Sequence, residues 1–177
     1  ELHDFSIIGW STGGAVAMEY CADYPGHCTK LILLASASTR GYPFYGINAL
    51  GVYGRLCTYE EIKREPTKTI PVQHAYNTGN REFLKVIWNS MIYTQNKPDP
   101  CKYEEYIDDM MTQRNLAEVY HSLNIYNVSS VHNGLVKGSG KVSEITIPVL
   151  VMRGNKDLVV TEQMTKEIIE DLGNNAI

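Results

Sequence analysis

No uninterrupted apolar stretch in the 177 residues approaches the roughly 20 that a membrane span needs, and Glu1-Leu2-His3-Asp4 has none of the marks of a signal peptide. No membrane partner is expected, and a cytoplasmic location is the default. Charge of one sign is also missing: 16 basic side chains stand against 20 acidic ones, for a formal net charge of −4. The one compact charge run, Glu60 to Glu65, mixes both signs as a solvated helix face does. Nucleic acid is therefore disfavoured as a partner. Cysteine is scarce. Cys21, Cys28, Cys57 and Cys101 lack CxxC spacing, which disfavours a disulfide scaffold and a structural zinc site and leaves reduced, buried thiols as the expectation. No metal or cofactor is expected. Asn127-Val128-Ser129 matches a glycosylation sequon, but with no other mark of secretion the match is read as chance.

What the chain does have is apolar material for a sizeable core, at 44% hydrophobic residues. Phe5-Ser-Ile-Ile-Gly-Trp10 is a short apolar run, and residues 12 to 23 change to helical spacing until Tyr24-Pro25-Gly26 stops them. In that helix Val16, Met18 and Tyr20 offer apolar surface, while Ala15 and Ala17 allow close approach to a sheet. Lys30 to Ala35 is continuously apolar beyond its lysine, as strands covered on both faces are. A second strand, loop and helix closes the chain. Ile147 to Met152 is its strand, Arg153 to Val160 its loop, and Thr161 to Leu172 its helix, with Thr161 as N-cap and Gly173 as C-cap. Strand–helix–strand order without hairpin signals implies a parallel sheet with right-handed crossovers.

Between these ends lies a different stretch, from about Arg40 to Val142, that reads as helical and shows no repeat. Thr58-Tyr-Glu-Glu61 is a capping box, Asn80 caps a helix running to Tyr93, and Tyr103 to Met111 and Arg114 to Tyr126 are two more helices. The expected organisation is thus residues 1–39 as strand, turn, helix and strand, residues 40–142 as a helical cap insertion, and residues 143–177 as strand, loop and helix.

Gly9-Trp10-Ser11-Thr12-Gly13 fits G-x-S-x-G. Glycines two positions either side of the serine let the chain reverse sharply, so the hydroxyl stands clear of the strand end, and the Thr12 N–H opens the following helix beside it. The preceding strand and following helix are the context that this motif demands. A serine nucleophile needs a base, and the base needs a carboxylate. Asp157, in Arg153-Gly-Asn-Lys-Asp157, follows a buried strand and so belongs on the edge from which Ser11 emerges.

Together the segment around Ser11, the strand Leu31-Ile-Leu-Leu-Ala35, and Ile147 through Asp157 resemble the α/β-hydrolase superfamily of the serine-nucleophile type. The resemblance covers both ends of the chain; the middle matches a family cap only in position and helicity. It implies a partial hydrolase core of about three parallel strands flanked by helices, with the cap inserted between the second and third. It also implies catalytic roles: Ser11 as nucleophile, the Thr12 N–H as an oxyanion-hole donor, and Asp157 as triad acid. The implied substrate is a small-molecule ester or similar carbonyl compound cleaved through an acyl-enzyme. A perhydrolase, thioesterase, acyltransferase or carbon–carbon bond hydrolase on the same fold, or a non-catalytic binding module, fits these residues too. Tyr42, Phe44, Tyr45, Tyr53, Phe83, Trp88, Tyr93 and Tyr120 either line an acyl pocket or hold the cap helices together.

One element of the family pattern is missing. His3, His27, His74, His121 and His132 all precede Asp157, whereas the resemblance places the base after a further strand, beyond Ile177. The expectation is a fragment, nearly inert alone, whose uncovered strands drive association into a dimer or a swapped assembly.

Overall fold

The computed structural model describes residues 2–177. The chain divides into two compact units, residues up to Pro43 together with Leu123–Ile177, and Phe44–Ser122.

The first unit is built from β1 (Phe5–Trp10), α1 (Thr12–Asp23), β2 (Cys28–Leu34), β5 (Val149–Met152) and α7 (Glu162–Leu172). Its three strands form one parallel sheet in the order β1-β2-β5. The register sets Ile7 beside Leu31 and Leu31 beside Val149, so the inward residues of all three strands share one face. Against that face pack Ala17, Met18, Cys21 and Ala22 of α1, and Ile168 and Leu172 of α7. The other face is not covered by described residues: Ile8, Trp10, Leu34, Leu150 and Met152 are all exposed. Val16 also points outward, because the buried stripe of α1 runs through Gly14, Ala15, Ala17, Met18, Cys21 and Ala22 instead.

Two stretches join this unit through polar clamps. After β2, Ser38 donates to Glu167 at 2.5 Å and Thr39 to Asp171 at 2.5 Å, while the Arg40 guanidinium takes both Asp171 oxygens at 3.0 and 2.9 Å, tying the loop to α7. Residues 123–142, expected within the insertion, pack here too. Val128 and Val142 enter the core, the Val128 N–H bonds Thr39 O at 2.8 Å, and the Tyr126 hydroxyl donates to Ala15 O at 3.2 Å. The compact insertion is therefore narrower than residues 40–142. At the other end, the Ile177 N–H reaches Val149 O at 2.8 Å and Ile177 O accepts from Val151 at 3.0 Å, a parallel bridge on the edge of β5 away from β2.

Within Phe44–Ser122 the chain is not wholly helical. Tyr45–Ile47 (β3) and Tyr53–Arg55 (β4) form an antiparallel hairpin before α2 (Tyr59–Lys63), α3 (Thr69–Thr78), α4 (Arg81–Met91), α5 (Pro100–Met110) and α6 (Leu116–Ile125), whose last residues belong to the first unit. The reciprocal capping box at Thr58 and Glu61 is present, and the Asn80 side chain caps α4 by accepting from Phe83 N–H at 3.1 Å. Ala75, Leu84 and Ile107 bring α3, α4 and α5 together. The hub of the hairpin and α3 is Glu65, which is fully buried. Its carboxylate accepts from Ile47 N–H at 3.1 Å, the Thr67 hydroxyl at 2.6 Å, Thr67 N–H at 2.9 Å and Lys68 N–H at 2.5 Å. Burial alone raises the pKa of this acid, but the donors overcome it and hold the group below 4.5.

Of the thiols, only Cys21 and Cys28 are buried, and burial, with Cys28 adjacent, pushes Cys21 up to about 12. Cys57 and Cys101 are exposed, contrary to the sequence expectation, because they sit in a loop and on the first turn of α5. The sequon asparagine is also committed: Asn127 Nδ2 donates to Val131 O at 2.8 Å inside a buried turn.

Candidate active site

Ser11 lies between β1 and α1 at φ 52° and ψ −121°, a conformation that side-chain-bearing residues rarely adopt. The backbone is held there from both sides: its N–H donates to Leu34 O at 3.1 Å, and its carbonyl accepts from Gly14 at 3.0 Å and Ala37 at 3.1 Å. A serine at the start of a helix ordinarily turns its hydroxyl back onto the first-turn amides. This one makes no such cap, and its Oγ has no partner among the described residues. Thr12 is the first helical residue, and an N–H at that position has no carbonyl partner within the helix. A half-buried, uncommitted hydroxyl thus stands beside helix amides.

The glycines around it do different work from what their spacing alone indicates. A Cβ on Gly9 would meet Gly13 O and Gly14 Cα, each at 2.5 Å, so the close return of the helix over the strand requires glycine there. A Cβ on Gly13 would meet nothing within 4 Å. The demanding position on the helix side is Gly14, outside the motif, where a Cβ would fall 1.9 Å from Ser36 Oγ and 2.5 Å from Ser36 Cβ. Gly14 and Ser36 are the contact that seats the start of α1 against the end of β2.

Asp157 occupies the loop between β5 and α7, at the carboxyl end of β5. Its Oδ1 accepts from the amides of Val159 at 2.8 Å and Val160 at 2.9 Å, which fixes the carboxylate against its own loop and leaves Oδ2 without a described donor. The loop is held in turn by Tyr42, whose hydroxyl donates to Val159 O at 3.0 Å. Burial, and then the charge of Asp157, raise the pKa of that phenol. Because β1 and β5 are both parallel to β2, Ser11 and Asp157 lie at the same edge of one sheet, one strand apart on either side of β2.

The histidines find other partners. His27 Nδ1 faces the Tyr20 hydroxyl at 3.2 Å with the His3 ring edge-on at 4.8 Å, near the amino ends of the strands. His121 lies edge-on to Tyr59, and His132 Nδ1 accepts from Gly134 N–H at 3.0 Å. His74 is on α3. The aromatic residues of the insertion are also largely spent on one another: Phe44 against Tyr120, and Trp88 and Tyr103 against Tyr93. Tyr45 and Tyr53 stack on the exposed hairpin.

This three-stranded parallel sheet, with a strained serine turn ahead of its first helix and an insertion before its last strand, has the fold of an α/β-hydrolase. The serine aminopeptidase (S33) family model matches residues 2–176, and the chain belongs to that family. No curated protein matches it. Among solved structures, an esterase from Exiguobacterium antarcticum is similar at 16% identity with a TM-score of 0.59, over 99% of this chain and 57% of that one. A hydrolase from Oleispira antarctica matches at 10% identity and TM-score 0.58, over 99% and 56%. A 2-hydroxy-6-oxo-6-phenylhexa-2,4-dienoate hydrolase from Rhodococcus matches at 17% and 0.54, over 99% and 55%. The chain spans little more than half the length of these structures. At such identities the likeness is one of fold.

Proposed function

We propose that this chain carries the nucleophile and the acid of a serine hydrolase that cleaves small carboxylic esters through an acyl-enzyme. Ser11 attacks the carbonyl carbon, the Thr12 N–H receives the developing oxyanion, and Asp157 orients a histidine base through Oδ2. The observation that carries the reading is the Ser11 backbone, held at φ 52° with the hydroxyl free of capping duty. Strain of that kind costs on the order of 1–3 kcal/mol and persists where the surroundings enforce it, as the bonds to Leu34, Gly14 and Ala37 do here. The strand positions add support. With β2 between them, Ser11 and Asp157 are separated by two strand spacings, roughly 10 Å, too far for direct contact and about the reach of an imidazole hydrogen-bonded at both nitrogens.

No histidine of this chain has Asp157 among its described partners, so residues 1–177 alone are expected to turn over roughly a million-fold below a complete triad. A diffusible base makes this testable. With imidazole added to the buffer, a fluorophosphonate is expected to phosphonylate Ser11, read by peptide mass, and Ser11→Ala is expected to abolish the adduct. Labelling that ignores imidazole, or that is equal in Ser11→Ala, would sink the nucleophile assignment.

A further inference from the structure

The sequence leaves Tyr42 either lining an acyl pocket or holding cap helices together, and the structure gives its hydroxyl a different task. It donates to the carbonyl of Val159 at 3.0 Å, while the amide of the same residue donates to Asp157 Oδ1 at 2.8 Å. One peptide unit on either side of Val159 therefore links phenol to carboxylate. The Tyr42 backbone is itself anchored, its N–H donating to Leu123 O at 2.8 Å, two residues after Arg40 is clamped to Asp171 of α7. The acid loop, between β5 and α7, is thus gripped from the segment that follows β2.

We infer that Tyr42 is a positioning residue for Asp157: its phenol holds the Val159 carbonyl so that the Val159 and Val160 amides stay aimed at Oδ1 and Oδ2 is left turned to a base. The inference rests on the reading of Asp157 as the acid only for its catalytic meaning; the clamp itself is a statement about the loop. Tyr42 touches no reacting atom in this role. It removes the rotation of the carboxylate that a two-amide grip on one oxygen would otherwise permit whenever the loop loosens. Fixing a carboxylate this way is the kind of support that keeps a reacting geometry within tolerance.

The test uses the whole chain and two readouts. In Tyr42→Phe, which deletes only the hydroxyl, amide exchange at neutral pH is expected to speed up about tenfold at Val159 and Val160, the scale of one lost hydrogen bond, with the amides of β1 and β2 unchanged. In Asp157→Asn, tyrosines labelled at Cζ are followed by NMR through an alkaline titration, and the Tyr42 resonance is expected to titrate at lower pH than in the parent, because the neighbouring charge is gone. A phenol remote from Asp157 would not respond to that isosteric change, and one that merely packed beside it would leave the exchange of the Val159 and Val160 amides unaltered in Tyr42→Phe. Unaltered exchange at Val159 and Val160 in Tyr42→Phe, or an unmoved Tyr42 titration in Asp157→Asn, overturns the inference. If both readouts behave as expected while imidazole-dependent labelling of Ser11 fails, the clamp stands and the hydrolase reading falls.

Discussion

The two adjacent glycines at the start of α1 make opposite predictions. At Gly14 an added Cβ lands 1.9 Å from Ser36 Oγ and 2.5 Å from Ser36 Cβ. Rotating the Ser36 hydroxyl relieves only the first contact, because Cβ does not move with χ1, so the helix start must shift away from the end of β2. Forced overpacking of this sort costs roughly 1–3 kcal/mol, and with no compliant side-chain end to yield, Gly14→Ala belongs at the upper end, about 2–3 kcal/mol. At Gly13 the Cβ enters open space on an exposed helical position, where alanine gains up to about 1 kcal/mol in helix propensity. For a chain this long each kcal/mol moves the melting temperature by about 2–4 °C, so Gly14→Ala is expected to melt roughly 5–10 °C lower and Gly13→Ala slightly higher. Thermal denaturation followed by circular dichroism reads both. The double variant Gly14→Ala, Ser36→Gly removes the obstructing atoms and is expected to recover most of the loss, leaving only a 3.2 Å approach to the residue 36 Cα. Gly14→Ala at parental stability, or Gly13→Ala as the more damaging of the pair, would refute the account of how the serine turn is seated.

Two further outcomes rest on other parts of the molecule. Glu65→Gln keeps the shape of the buried hub but replaces charge-assisted bonds to the Thr67 hydroxyl and the 47, 67 and 68 amides, and is expected to destabilise Phe44–Ser122 by about 1–3 kcal/mol in urea titrations. Because the folded carboxyl sits below its ordinary 4.5, its contribution is complete above pH 4.5 and fades as pH falls through the folded value, so the parent should lose its advantage over Glu65→Gln below that point; a gap that persists in acid contradicts the assignment. The uncovered sheet face, with Ile8, Trp10, Leu34, Leu150 and Met152 exposed, is expected to draw residues 1–177 into dimers or swapped assemblies, each large side chain covered contributing roughly 1.5–3 kcal/mol. Light scattering should show mass rising with concentration and falling in Trp10→Ser; a monodisperse monomer at high concentration contradicts it.

What could be read from the sequence was whatever depends on neighbours in the chain. Phe5–Trp10 followed by Thr12–Asp23 is visible because the apolar period changes at Ser11, and Thr58 with Glu61, or Asn80 ahead of Phe83, cap helices through contacts three residues apart. Two local features escaped for local reasons. Helix α3 is not singled out by the sequence, and Pro71 falls in its first turn, where its missing N–H has no partner to lose. The hairpin of β3 and β4 lacks a two-residue turn signal, since its five-residue connection is organised by Asn48, whose Oδ1 accepts from Leu50 and Val52.

The contacts that seat the candidate site belong to another category. Gly14 meets Ser36, Tyr42 meets Val159, and Arg40 meets Asp171, pairs separated by 22, 117 and 131 positions and brought together only by the register of the sheet and the helices it carries. No periodicity encodes such pairs, and this is also why G-x-S-x-G misassigns the steric burden. The pattern names Gly13, two residues after the serine, whereas the crowding is decided by what β2 places opposite the helix, and Ser36 stands opposite Gly14. The edge of the sheet at which Ser11 and Asp157 lie needed no such knowledge. Once three strands joined by crossovers are parallel, every loop that follows a strand emerges at one edge, so the turn after Trp10 and the loop after Met152 share it whatever the side chains between them do.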